Sequence, residues 1–235
     1  MRLHIIRHAD PDYSLDNLTA LGKNQAQALS HYMEGLPLVR IVSSPKGRAQ
    51  ATARPTSEKT GFPVETLEWL RELDQLRAPY DSDVLPNPVV IWDLPGHVLR
   101  EVEKGCADCA SSDAFPQPIT AERFDQVRAG LKQLLKEMNI SVTDEGWFAD
   151  GRLPGYDVAI FCHHGVGLAL LSVITGISAA ALWRSFWLAP ASVSTVLLEQ
   201  YEGNRVNPRL ICVSDTRHLN GALCSNTSGI IYNVR

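Results

Sequence analysis

The sequence predicts an α/β fold on a mainly parallel sheet, with an insertion that covers one end of that sheet. Two patterns carry the prediction. Apolar runs of strand length, at residues 3–6, 38–42, 157–162, 193–198 and 209–213, alternate with stretches of helical period. Between residues 74 and 118 neither period survives, and Pro79, Pro86, Pro88, Pro95, Pro116 and Pro118 punctuate the chain. A length of 235 residues suits a single domain, 1–235, with the insertion at about 74–150.

In chain order, residues 3–6 read as a buried strand, after which Leu18, Leu21, Ala28, Leu29, Tyr32 and Met33 fall on one helical face. Residues 38–42 form the second strand. Ser44-Pro45 then reads as N-cap and first residue of a helix that runs to about Thr60 and stops at Gly61. Residues 64–66 suit a short strand. Within the second half of the insertion, Phe124, Val127, Leu131, Leu134 and Met138 recur three and four apart, an amphipathic helix starting at Thr120. Residues 165–182 carry no charge and approach the roughly 18–20 residues of a membrane span. Thr175, Gly176 and Ser178 interrupt them as a helix stop and a new N-cap, so two short buried helices are expected.

The formal net charge of −4 offers no chain-wide attraction to nucleic acid or anionic lipid, so neither partner is expected. Any anionic ligand must be caught by a local cluster of positive groups. The first apolar run breaks at Arg7, short of the roughly 7–15 residues of a secretory core, and no signal peptide is expected. Five scattered cysteines form no disulfide framework, which points to a reducing, cytoplasmic setting.

Chemistry gathers at the strand ends. Arg7-His8 directly follows the first strand, and in an open parallel sheet ligands bind beyond the carboxyl ends of strands. A histidine there can be a nucleophile with a phosphate clamp beside it; alone, the dipeptide also reads as a simple strand-end cap. The second strand ends at Ser43-Ser44-Pro45, with Arg48 on the first turn of the next helix, beside N-terminal N–H groups. A third strand leads through Cys162 into His163-His164-Gly165, where glycine lets backbone approach a ligand. Glu72 stands where the regular pattern gives way to the insertion. Two arginines, two histidines and a carboxylate suffice for phosphoryl transfer.

In order and spacing, LHIIRHAD (3–10), LTALGKNQA (18–26), VSSPKGRAQATA (42–53), LRELD (70–74) and FCHHGVGLALL (161–171) resemble the histidine phosphatase superfamily, the phosphoglycerate-mutase-like group. The resemblance spans residues 1–75 and about 155–215. It implies a three-layer α/β/α sandwich with the insertion as a cap over the strand C-termini. It implies that His8 is the nucleophile, Arg7 and Arg48 bind phosphate, His164 is the second pocket histidine and Glu72 the general acid. The reaction it implies passes through a phosphohistidine and needs no metal or other cofactor. Ala9 and Asp10 replace the usual Gly and Glu, and Gln75-Leu76-Arg77 stands where Phe-Gly and Trp-Glu-Gly elements are common, so the pocket roof is not transferable. His163 beside His164 leaves two rings that could enter the pocket.

The leading expectation is a phosphatase acting on a small phosphorylated substrate, with a phosphoprotein possible. A mutase, a non-catalytic phosphate- or partner-binding member, and a metal hydrolase are the competing readings. A mutase or bisphosphatase needs extra cations for a second anionic group, yet residues 74–119 hold eight carboxylates against Arg77, Arg100 and Lys104. That balance favours a neutral, apolar or cationic remainder on the substrate. Cys106 and Cys109 form a lone CxxC without two further ligands, read as ordinary loop thiols. His4 is expected as a core histidine, His97 and His218 are left outside the site, and Trp92, Phe115 and Trp147 read as core of the insertion. Asn17 suits a turn or a phosphate contact equally.

Overall fold

The computed structural model describes residues 1–105, 109–221, 223 and 224. Its elements follow the chain as β1 (Arg2–Arg7), β2 (Pro11–Asp12), β3 (Asn17–Leu18), α1 (Ala20–Glu34), β4 (Leu38–Ser43), α2 (Gly47–Thr60) and β5 (Val64–Thr66). Next come β6 (Arg77–Ala78), β7 (Val89–Val90), α3 (Gly96–Gly105), α4 (Ile119–Lys136), β8 (Ile140–Thr143) and β9 (Gly146–Ala149). The chain continues with β10 (Asp157–Cys162), α5 (His164–Thr175), α6 (Ala179–Ser185), β11 (Val193–Gln200) and β12 (Arg205–Asp215).

The main sheet has eight strands in the order β5-β4-β10-β1-β11-β12-β9-β8. The half that carries the candidate residues, β5-β4-β10-β1, is parallel throughout, with crossovers through α1 from β1 to β4, through α2 from β4 to β5, and through the segment containing α4 from β5 to β10. From β1 outward the pairing turns antiparallel, with β11–β12 and β8–β9 each joined by a direct reversal and the two pairs meeting between β12 and β9.

Alternation along the strands produces the three layers. Leu3, Ile5, Val158 and Ile160 face one core, shared with α4, α5 and α6. Ile6, Ile41, Ala159 and Phe161 face the other, shared with Leu29 and Met33 of α1 and Ala53 of α2. His4 points to that second side and is buried, its ring bonded to Thr195 Oγ1 and Asp157 Oδ2 at 3.1 Å each, so it is the core histidine expected.

Helix ends follow local chemistry. Gly61 and Gly176 close α2 and α5 at φ 77° and 73°, a conformation in which a side chain is strained. The uncharged stretch therefore divides into α5 and α6, and no helix of the described residues is long and apolar enough to cross a membrane. Helix α2 starts later than the Ser44-Pro45 signal implied, with Lys46 as N-cap, because Ser44 Oγ is engaged by His163 Nε2 at 2.7 Å.

The segment expected as an insertion divides in two. Helix α4 packs beside α5 in a main helical layer, and β8 and β9 extend the main sheet, so residues 119–149 belong to the sandwich. Residues 74–118 lie outside those layers, as the β6–β7 ribbon, short 3-10 turns and α3. Phe115 packs edge-on against Trp183, a core role as expected. Cys109 is buried, while Cys106 falls outside the described residues.

Candidate active site

Strands β1, β4 and β10 deliver their last residues to one end of the sheet. Arg7 closes β1, and the His8 N–H reaches Cys162 O at the end of β10, 2.9 Å away. Four neighbouring contacts hold this turn. Ala9 N donates to Thr52 Oγ1 and Asp10 N to Gln25 Oε1, at 3.0 and 2.7 Å. Thr19 caps α1 by accepting from Gly22 N and donates its hydroxyl to Asp10 Oδ2. A side chain at Gly22 would place a Cβ 2.1 Å from Asp10 O, which explains the glycine of the LTALG stretch. Ala9 is fully buried among Leu18, Ala26 and Ala191, and its methyl is accommodated.

A cleft of about 460 Å³ opens there, lined by Arg7, His8, Arg48, Glu72 and His164. All five residues expected in the site are brought together. The cleft wall also contains Tyr13, Asp16, Lys46, Asp74, Arg77, Val90, Trp92 and Asp93, none of which was singled out as a site residue. Trp92 thus lines the cleft and at the same time packs against the main hydrophobic core.

His8 is buried, and its Nδ1 donates to Ala9 O at 2.8 Å, which leaves Nε2 with its lone pair. Burial, and then the charges of Arg7 and Arg48, hold its pKa well below the ordinary 6.5, so the ring is neutral and nucleophilic. Arg7 gives one N–H to Leu188 O and lies over the Trp187 ring, 5.7 Å from its centroid. Arg48 pairs with Asp16 at 2.6 Å, under the Tyr13 ring. The Nε of both arginines is buried without a partner, and both side chains line the cleft.

Two findings revise the expected picture. The N-terminal N–H groups of α2 are not all free, because Asp16 Oδ2 accepts from Gly47 N at 2.7 Å while its other oxygen holds Arg48. Both histidines of the pair lie at the site. His164 lines the cleft, and its Nδ1 accepts from Leu188 N at 3.3 Å, leaving Nε2–H as a donor. Burial and Arg7 push its pKa down to about 3, so it is neutral in the free protein rather than a cation. His163 is fully buried against His8, with an unpartnered Nδ1. Its place directly after β10 was the available signal, outweighed in the sequence by the His-Gly pair that follows.

Glu72 is buried at the N-terminus of α5. It accepts from Leu73 N, Val166 N and Gly165 N at 2.9, 2.8 and 3.0 Å. Burial pushes its pKa up, against the pull of those three N–H groups. The Trp92 ring covers Gly165, where an added Cβ would lie 2.5 Å from the indole. Asn17 bonds its own strand, Oδ1 to Leu18 N, and does not line the cleft. His218 stacks on Tyr32, His97 lies tilted beside Tyr80, and neither lines it. A second cleft of about 370 Å³, between α4, α5 and the β8–β9 ribbon, contains Trp147 but no histidine or carboxylate.

The fold and this cleft define a class. Residues 3–77 match the model of the histidine phosphatase superfamily (branch 1). The resemblance read from the motifs is borne out over residues 3–77 by that match, and along the chain the likeness to solved structures is one of fold. Among solved structures, the mycobacterial glucosyl-3-phosphoglycerate phosphatase bound to inorganic phosphate is similar at 22% identity and TM-score 0.63, covering 93% of this chain and 99% of its own. The α-ribazole phosphatase of Shigella flexneri is similar at 20% identity and TM-score 0.58, covering 92% and 96%. The phosphoserine phosphatase of Entamoeba histolytica is similar at 18% and 0.59, covering 93% and 99%. No curated protein matches the chain in sequence.

Proposed function

We propose that the protein is a metal-independent phosphatase that hydrolyses a small phosphomonoester through a phosphohistidine on His8. The observation that carries this reading is the state of His8: a neutral buried ring, fixed by Nδ1–H to Ala9 O, with Nε2 free between two arginines. In the first step Nε2 attacks phosphorus and the ester P–O bond breaks; in the second, water displaces the imidazole. Arg7, Arg48 and the Nε2–H of His164 offset the charge spread over the phosphoryl oxygens. The resemblance assigns the leaving-group proton to Glu72. Protonating Glu72, however, weakens three backbone bonds that favour its ionised form.

The cap side of the cleft supports a neutral, apolar or cationic remainder. Lys46 is paired with Asp74, and Arg77 is turned onto Asp74 O and Pro88 O, which leaves Trp92, Val90 and Asp93 to meet the substrate. A cytoplasmic setting and a small-molecule substrate belong to the same proposal. Rapid quench with labelled substrate should trap an acid-labile, base-stable phosphoenzyme that His8→Ala abolishes. Turnover by His8→Ala at the wild-type rate would overturn the mechanism.

A further inference from the structure

The geometry points to Asp93, on the insertion, as the proton donor to the leaving group in the hydrolysis proposed above, with Glu72 as the fixed anion beside it. Three observations lead there, and the inference rests on the phosphatase reading.

The first is placement. Asp93 ends the short 3-10 turn Ile91–Asp93 and lines the same cleft as His8, from the insertion's side. His8 and Arg7 come from the end of β1 and Arg48 from the first turn of α2, whereas Asp93 reaches the same cleft from the insertion. Trp92, the preceding residue, covers Gly165 and so anchors this wall over the N-terminus of α5.

The second is freedom. Glu72 has both oxygens committed to backbone N–H groups, whereas the Asp93 carboxyl accepts no hydrogen bond from any described residue. A general acid must carry a proton, turn it to the leaving oxygen and take one back, and of these two carboxyls only Asp93 can do so without breaking existing bonds.

The third is the electrostatic setting. The charges that act on Asp93 are those of Glu72 before the insertion, Arg7 of β1 and Arg77 of β6, and the cleft they share is also lined by the titratable His8, Tyr13, Asp16, Lys46, Arg48, Asp74 and His164. Burial, and then the Glu72 charge, raise Asp93 to about 7, with Arg7 and Arg77 opposing. Two carboxyls held apart in this way divide the acid and anion roles. In the first half-reaction the P–N bond to His8 forms, the P–O bond breaks, and the Asp93 proton passes to the leaving oxygen. In the second, the Asp93 carboxylate takes a proton from the attacking water, the P–N bond breaks, and phosphate is released with Asp93 reprotonated.

The test compares Asp93→Asn and Glu72→Gln in the full chain on an alkyl phosphate and on 4-nitrophenyl phosphate, reading kcat/KM and inorganic phosphate inhibition. Asp93→Asn is expected to lose about 10²–10⁴-fold on the alkyl ester and far less on the aryl ester, whose leaving group needs no proton. Its phosphate inhibition constant should stay within a few-fold of wild type, which shows an intact pocket. The wild-type alkyl profile should also fall above about pH 7, and that limb should vanish in Asp93→Asn. Equal losses on both esters, a limb that persists in Asp93→Asn, or leaving-group dependence in Glu72→Gln alone would each overturn the assignment. Failure of wild type to hydrolyse either ester or form a phosphoenzyme would instead defeat the phosphatase reading beneath it.

Discussion

The imidazoles of His8 and His163 lie with centroids 5.1 Å apart and planes tilted by 59°. His163 Nε2 is tied to Ser44 Oγ at the end of β4, so the nucleophile of β1 is braced by a ring from β10 that is itself held from β4. Three adjacent parallel strands thus fix one side chain, which is the rigidity an in-line displacement needs.

The two neighbouring histidines should separate in their effects. His163→Ala removes a fully buried ring and its bond to Ser44 Oγ, so it should cost about 3 kcal/mol of stability together with phosphorylation rate. His164→Ala removes a donor from the cleft wall and should chiefly weaken inhibition by inorganic phosphate. Urea unfolding and phosphate inhibition of both variants decide this, and the reverse pattern would place His164 as the brace.

Acid should destabilise the free protein through its buried histidines. His8, His163 and His164 stay neutral in the fold, with pKa values below the ordinary 6.5, whereas in the unfolded chain they bind protons as pH falls through 6.5. The unfolded state then holds more protons, so stability is fully present above that value and lost below it. Each ring contributes about 1.4 kcal/mol per pH unit in that range. Urea midpoints at pH 7 and pH 5 measure the loss, and His163→Gln should show a shallower dependence. Equal midpoints at the two pH values would mean that the rings are charged in the fold.

Gly165→Ala should be damaging out of proportion to one methyl. The added Cβ would lie 2.5 Å from the Trp92 ring and 2.9 Å from Glu72 Oε1, between two parts of the cleft wall. Overpacking of this kind costs about 1–3 kcal/mol. Thermal unfolding should register it, together with reduced kcat/KM as Trp92 is pushed outward. A variant with wild-type stability and activity would show that the insertion's wall yields freely.

Activity should survive chelation. Arg7 and Arg48 face the cleft with buried, unpartnered Nε groups, and among the described residues no cluster of three or more His, Cys, Asp or Glu could hold a metal. Assay after EDTA dialysis checks this, and activity lost and then restored by zinc or magnesium would move the reaction to a metal-assisted class.

By itself the sequence placed β1, β4, β5, β10, β11 and β12 of the main sheet and the helices α1, α2, α4, α5 and α6, together with the residues that follow the site-bearing strands. Apolar runs placed Arg7-His8 and the histidine pair after strands, and Gly61 and Gly176 ended their helices, because these signals act within a few residues. Tertiary structure alone decided the rest. Nothing local told that β11, β12, β9 and β8 reverse direction, since an apolar run does not record its partner's orientation, nor that α4 and β8–β9 join the sandwich. Asp16, Trp92 and Asp93 were equally invisible as site residues: Asp16 meets Arg48 from 32 positions away, and the other two reach the cleft only through the path of an aperiodic insertion. The choice between two adjacent histidines was of the same kind. It depended on which ring meets His8 and which meets the cleft, and that is set by the packing of β10 between β4 and β1.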